Sequence, residues 1–265
     1  MAVRTDDVFV NAPGGRLFAR IWGGHERLRA IPPIILFHDS LGSVELWRDF
    51  PAVLTTITGH PVIAYDRLGF GKSDPHPDRL EIAFVRNEAR ASIPALRAEL
   101  AIDRMILFGH SVGGAMAVIA ASRFADAAVA VITESAQAFV EDRTLTAIRD
   151  AKSAFESPGQ IERLKRYHGD KADWVLNAWT ETWLHPEFAA LALDTYLRRL
   201  RCPALAIHGD RDEYGSSAHP QRIAETAPTP TDVVIVDDCG HVPHREKPEV
   251  VLRAVSTFLK RRLPT

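Results

Sequence analysis

Cysteine is nearly absent from this chain, and the two present, Cys202 and Cys239, cannot make a disulfide framework. Both sit at what read as core strand ends, where a cysteine serves as a small buried hydrophobe. No stretch approaches the roughly 18 consecutive apolar residues of a membrane helix. Met1 to Val10 carries Asp6 and Asp7 and lacks the basic start and apolar run of a secretory signal. An excess of one charge is missing too. The 32 Lys and Arg stand against 34 Asp and Glu, which argues against electrostatic capture of nucleic acid or of an acidic membrane surface. Neither His-Glu-x-x-His nor Cys-x-x-Cys spacing occurs, so no metal-dependent chemistry is expected. These absences together predict a cytoplasmic, reduced globular protein whose partners are small molecules.

What is present suffices for one large core and an inserted subdomain: 265 residues, 46% hydrophobic and 25% charged. Short runs rich in Ile, Val and Leu recur at Ile34 to Phe37, Val62 to Tyr65, Met105 to Phe108, Val129 to Ile132, Ala204 to Ile207 and Val233 to Val236. Such runs are continuous rather than alternating, which predicts strands buried on both faces of a parallel sheet. Helical spacing lies between several of them. Leu46, Phe50, Val53, Leu54 and Ile57 form one apolar stripe, and Ala115, Val118 and Ile119 open another. The alternation predicts an α/β layer fold. Ahead of it, Phe9 and Val10, the turn Asn11-Ala-Pro-Gly-Gly15 and Leu17 to Trp22 read as an antiparallel hairpin. Residues 134–200 show helical periodicity and no convincing strand, and hold Trp174, Trp179 and Trp183. They are expected to form a helical cap inserted into a core made of residues 1–133 and 201–265.

The sharpest chemical signal is Gly109-His110-Ser111-Val112-Gly113, between the apolar run ending at Phe108 and the Ala-rich stretch from Gly114 to Ala121. A strand, a tight turn and a helix form the setting of a nucleophile elbow. The turn strains the serine backbone and tolerates no bulk two residues either side, a need that Gly109 and Gly113 meet. The new helix aims free amides and its positive end at the reacting oxygen, so the Val112 amide is a candidate oxyanion donor.

A serine hydroxyl is a poor nucleophile until a base takes its proton and an acid orients that base. Ala204 to Ile207 ends in His208-Gly-Asp-Arg-Asp212, a carboxylate-bearing turn, and Val233 to Val236 ends in Asp237-Asp-Cys-Gly-His241. All three groups therefore fall at carboxyl ends of strands, where open α/β sheets place their sites. His241 is preferred as base over His244 because it directly follows a glycine turn after a strand.

With these residues in view, the whole chain resembles the α/β-hydrolase superfamily, in particular its small, cap-bearing, serine-dependent branch. The resemblance rests on Phe37-His38-Asp39-Ser40, Tyr65-Asp66-Arg67-Leu68-Gly69-Phe70-Gly71-Lys72-Ser73, the Ser111 turn, Gly209-x-x-Asp212, and Gly240-His241 followed by Glu246 and Pro248. It implies an α/β-hydrolase fold with a mostly parallel sheet flanked by helices. It also implies that the acid ends the Gly-x-x-Asp turn, which selects Asp212 over Asp210, with Glu134 as the rival used by a minority of relatives. By position the amide of Ser40 is the second oxyanion donor, although the family usually reads His-Gly where this chain has His38-Asp39. Part of the cap, from Ile148-Arg-Asp150 through Arg163, Leu164 and Trp174, loosely resembles esterases of the biphenyl hydrolase-like group. His38, His110, Trp179 and Trp183 are candidates for lining the substrate pocket.

The resulting expectation is a serine hydrolase of a small carboxylic ester, or of an activated amide or thioester, working through an acyl-serine without a cofactor. Carbon-carbon bond hydrolases of ring-cleavage products share the machinery, as do cofactor-free perhydrolases or hydroxynitrile lyases, and slow-turnover ligand-sensing receptors. Serine at position 111 argues against dehalogenase or epoxide hydrolase chemistry, where a carboxylate must attack.

Overall fold

The computed structural model describes residues 3–263; Met1 and Ala2, part of the N-terminal stretch considered above, lie outside them, as do Pro264 and Thr265. The strands are β1 (Thr5–Ala12), β2 (Gly15–Trp22), β3 (Ile34–Phe37), β4 (Val62–Tyr65), β5 (Met105–His110), β6 (Ala128–Glu134), β7 (Ala204–Gly209) and β8 (Thr231–Val236). They form a single sheet in the order β1-β2-β4-β3-β5-β6-β7-β8. The pairings β1 with β2 and β2 with β4 are antiparallel, and those from β4 onward to β8 are parallel.

The continuous apolar runs arise because both faces of this sheet are covered. Ile35, Phe37, Ile63, Tyr65, Met105 and Leu107 pack on one side, under the helices Ser92–Glu99 and Val112–Arg123. Their neighbours Ile34, Leu36, Val62, Ala64, Ile106 and Phe108 pack on the other, under the helices Phe50–Thr58 and Pro248–Arg262. Removing a Leu, Ile or Phe side chain from water in this way contributes roughly 1.5–3 kcal/mol each. The helix Val112–Arg123 is buried from Val112 to Ala121, which its small, Ala-rich composition permits.

Two expectations are corrected. β8 is an edge strand, so Val233 and Ile235 stand 39% and 40% exposed instead of being covered on both faces. In the stripe from Leu46 to Ile57, the helix begins only at Phe50. Phe50 and Leu54 point inward, whereas Val53 and Ile57 are 40% and 41% exposed and Leu46 lies within the preceding 3-10 helix Val44–Trp47.

Between β6 and β7 stand the helices Asp142–Phe155, Gln160–His168 and Ala172–Trp183, followed by shorter turns; the extended pairing among described residues there is an isolated bridge from Phe139 to Ala192. β6 continues through Glu134, so the inserted segment begins after that residue. Among the described residues no helix is long and apolar enough to cross a membrane. Cys202 and Cys239 are buried and unpaired.

The inward and outward halves of the helix Phe50–Thr58 differ in energetic weight. Leu54→Ala is expected to lower stability by about 2–5 kcal/mol. Ile57→Ala is expected to change it by less than about 0.5 kcal/mol, both read from urea midpoints at constant slope.

Candidate active site

Ser111 occupies the sharp turn between β5 and the helix Val112–Arg123, with φ 56° and ψ −125°. A non-glycine residue at such a φ is strained and persists only where its surroundings hold it. The Ser111 N–H donates to Glu134 O at 2.8 Å, and the Gly114 N–H donates to Ser111 O at 2.9 Å. Glycine is required on both sides. A Cβ at Gly109 would collide with the backbone of Gly113, and one at Gly113 with the carbonyl of Phe37.

His241 Nε2 lies 2.9 Å from Ser111 Oγ, and His241 Nδ1 lies 2.9 Å from each carboxylate oxygen of Asp212. Asp212 Oδ1 also accepts the backbone N–H groups of Tyr214 (2.8 Å) and Gly215 (3.2 Å). Burial opposes ionisation of Asp212, yet the hydrogen bond from His241 and the amides outweighs it and holds the carboxyl below its ordinary value. Glu246, at the end of the short helix Pro243–Glu246, accepts from Gly240 N (2.7 Å) and Val242 N (3.0 Å), bracketing His241. Asp210 instead caps the loop by accepting from Cys239 N at 3.1 Å.

Glu134, the rival acid, does not reach His241. Its Oε2 sits 2.6 Å from His244 Nδ1, in a second, fully buried pair. His110, Glu134 and His244 bring ligand-type atoms within 4.8 Å of one another. They fit a metal poorly, because the His110 nitrogens face two acceptors, His241 O at 2.8 Å and Asp39 Oδ2 at 3.3 Å, leaving that ring no lone pair to offer.

A cavity of about 160 Å³ opens over Ser111 and His241, lined further by Asp39, Ser40, Leu41, Gln137, Thr144, Ile148, Trp179, Trp183 and Tyr214. Trp179 and Trp183 thus stand in its wall, and Ser40 faces the same space as Ser111. His38 and His110 do not line it, which corrects their assignment. His38 is occupied by backbone, with Nδ1 2.8 Å from Asp39 O and Nε2 accepting from Arg67 N at 3.2 Å. A strand-end histidine can turn toward the cavity or back into the loops beneath it, and both of these turn back. Tyr214, Gln137 and Thr144 were not found from sequence. Thr144 and Ile148 carried a signal, being the i, i+4 pair that the otherwise polar helix Asp142–Phe155 buries. The loop Asp66 to Ser73 is structural: the Asp66 carboxylate accepts from Val44 N (2.6 Å) and Lys72 N (2.7 Å), and a Cβ on Gly71 would strike it.

A doubly flanked, mostly parallel sheet with a strained serine turn at its centre defines a hydrolase of the α/β type. The chain belongs to the alpha/beta hydrolase family, whose sequence model matches residues 34–254. Human 1-acylglycerol-3-phosphate O-acyltransferase ABHD5 is 37% identical over 86 residues, a match spanning 32% of this chain and only 24% of that protein. The 2-(acetamidomethylene)succinate hydrolase of Mesorhizobium japonicum is 24% identical over 251 residues, covering 86% of this chain and 88% of that one. Among solved structures, a bacterial membrane phospholipase A superposes with a TM-score of 0.77 at 20% identity, over 100% of this chain and 88% of its own.

The cavity wall is pinned to the inserted helices by His168. Its Nδ1 accepts from Gly71 N at 2.9 Å, and its Nε2–H donates to Leu41 O at 3.0 Å. Burial depresses its pKa from 6.5 to about 4. Between those values the unfolded chain binds a proton that the folded chain refuses, so stability is full above the upper value and declines as pH falls through the window. His219, also held near 4, acts with the same sign. The melting temperature is expected to drop between about pH 7 and about pH 5, and His168→Gln, which keeps one donor and one acceptor, is expected to drop less.

Proposed function

We propose that the chain is a serine hydrolase that cleaves a small carboxylic ester, or an activated amide or thioester, through an acyl-serine intermediate. The observation that carries this reading is the unbroken relay from Ser111 Oγ through His241 to Asp212 at the floor of a cavity. Because Asp212 holds the Nδ1–H of His241, the Nε2 lone pair faces the serine hydroxyl, the tautomer a general base needs. Ser111 attacks the carbonyl while His241 takes its proton. The amides of Val112 and Ser40 hold the oxyanion. His241 gives the proton to the leaving group, then draws one from the water that releases the acid and regenerates the serine. No cofactor enters these steps.

The cavity supports a small, uncharged reacting portion. Its volume is close to the roughly 150 Å³ that accommodates a benzene. Its wall carries Asp39 and no Lys or Arg among the described residues, which disfavours an anionic acyl group. The full-length relative is named for a succinate derivative, so its hydrolase chemistry supports the reaction class here while the lining argues for a different, neutral substrate. The inserted helices between β6 and β7 act in this reading as a cap over the acyl or leaving-group site.

A fluorophosphonate is expected to label Ser111 stoichiometrically and abolish ester turnover, with Ser111→Ala neither labelled nor active. Asp212→Asn is expected to lose roughly 10⁴-fold in kcat, and Glu134→Gln far less. A severe Glu134→Gln with a nearly silent Asp212→Asn would reassign the acid.

Trp179→Ala and Trp183→Ala test the wall. Each is expected to shift the ratio of kcat/KM between long and short acyl esters by ~10-fold or more, since one methylene is worth about 1–3 kcal/mol. A uniform fall across chain lengths that tracks lost melting temperature would make both tryptophans packing residues alone.

A further inference from the structure

We propose that Asp39 and His110 are positioning residues of the hydrolytic site: a His110 imidazolium, held between the Asp39 carboxylate and the His241 carbonyl, ties two loops to the Ser111 turn. The proposal rests on the reading above, in which Ser111 and His241 perform the chemistry.

The protonation state follows from the partners. A carbonyl oxygen only accepts, so His110 Nε2, 2.8 Å from His241 O, carries a hydrogen. An ionised carboxylate also only accepts, and Asp39 Oδ2 is 3.3 Å from Nδ1. A ring that donates from both nitrogens is a cation. His110 is 1% exposed, where an unpaired charge would be prohibitively costly. The groups facing it are Asp39 from the loop after β3, Glu134 at the end of β6, and His241 and His244 from the segment after β8. Burial acts against the charged ring, but the Asp39 and Glu134 carboxylates overcome it and raise the His110 pKa to about 9. Asp39 is correspondingly held well below the ordinary carboxylate range, burial being outweighed by His110.

Geometry gives the pair its consequence. His110 immediately precedes Ser111, Asp39 immediately precedes Ser40, and the carbonyl that His110 grips belongs to His241 itself. Asp39 is fixed in turn by accepting from Leu41 N at 2.9 Å. One buried ring thus sets the spacing among nucleophile, second oxyanion donor and base, three segments that meet at the carboxyl ends of their strands. Deprotonation leaves a single donor for two acceptors, and one tether is lost.

The test uses the full chain and a p-nitrophenyl ester, with kcat, KM and fluorophosphonate-labelled sites measured from about pH 6 to about pH 10. Wild type is expected to lose kcat per labelled site as pH rises through about 9, the folded value of His110. Asp39→Asn keeps an acceptor but removes the charge that favours the imidazolium, so the fall is expected at least about one unit lower. In that variant kcat is expected to drop ~10-fold or more at neutral pH with KM moving less than ~3-fold. His110→Gln is expected to be slow at every pH and to lack the alkaline step. A wild-type profile with no alkaline fall, which needs no variant to observe, would overturn the proposal. So would variants that lose melting temperature or labelled sites yet keep wild-type kcat per site and pH profile, since that is the outcome of a purely structural role. The two levels separate through Ser111→Ala. If that variant still turns over, the hydrolytic reading itself fails; if it is dead while Asp39→Asn and His110→Gln behave as wild type, only the positioning role falls.

Discussion

The candidate site of this molecule depends on one backbone conformation, the positive φ of Ser111. A strained residue of this kind costs on the order of 1–3 kcal/mol, and it is held by neighbours that leave it no alternative. Gly109 and Gly113 let β5, the following helix and the β3 carbonyls approach more closely than any side chain would allow. β6 then captures the Ser111 amide through Glu134 O. That close approach also explains why the helix Val112–Arg123 is buried almost throughout: it must lie flat against the sheet for its first amides to meet the end of β5. Fold and site are therefore one constraint here, with the core providing the rigidity that the turn consumes.

Beneath the turn lies an unusual density of buried charge. Asp212, Glu134 and His110 are all at most 2% exposed, and each carboxylate faces an imidazole. Isolated, any of them would shift toward its neutral form; paired and hydrogen-bonded, both Asp212 and Glu134 are held below their ordinary values although burial pushes the other way. Each carboxylate has its own imidazole. Asp212 serves His241 at the cavity, while Glu134 serves His244 against the rings of Trp47 and Phe50. Geometry thus separates Asp212, the carboxylate that the family resemblance selects, from its rival Glu134.

Much of this was legible in the chain because the signals were local. The two-face burial of β3 to β7 appears directly as unbroken Ile, Val and Leu runs, and the glycines around Ser111 state the turn's steric need. What stayed hidden depended on distant context. The stripe Leu46 to Ile57 has helical spacing whichever residue starts the helix, and only the packing of Phe50 and Leu54 into the core turns Val53 and Ile57 outward. β8 reads like an interior strand, but edge position is a property of the whole sheet order. His38 and His110 sit at strand ends as functional groups do, and only the placement of Arg67, Asp39 and His241 shows that their nitrogens are already taken.

The same turn that holds Asp212 also holds the inserted helices. Tyr214 and Gly215 donate their amides to Asp212, while Tyr214 O accepts from Thr144 Oγ1 at 2.6 Å. One residue further, Ser216 donates both its N–H and its hydroxyl to Glu141, at the start of the helix Asp142–Phe155. Glu141 is met from behind by His219 at 3.0 Å. The first inserted helix is therefore anchored on the acid's own turn, and the second is anchored on the opposite wall through His168 to Leu41 and Gly71. Thr144 and Glu141 thus tie the first helix to the loop whose Tyr214 amide helps keep Asp212 ionised. The cavity wall at Thr144 and the carboxylate that holds His241 therefore meet in one short loop, and the packing of the inserted helices and the orientation of that imidazole rest on the same few backbone groups.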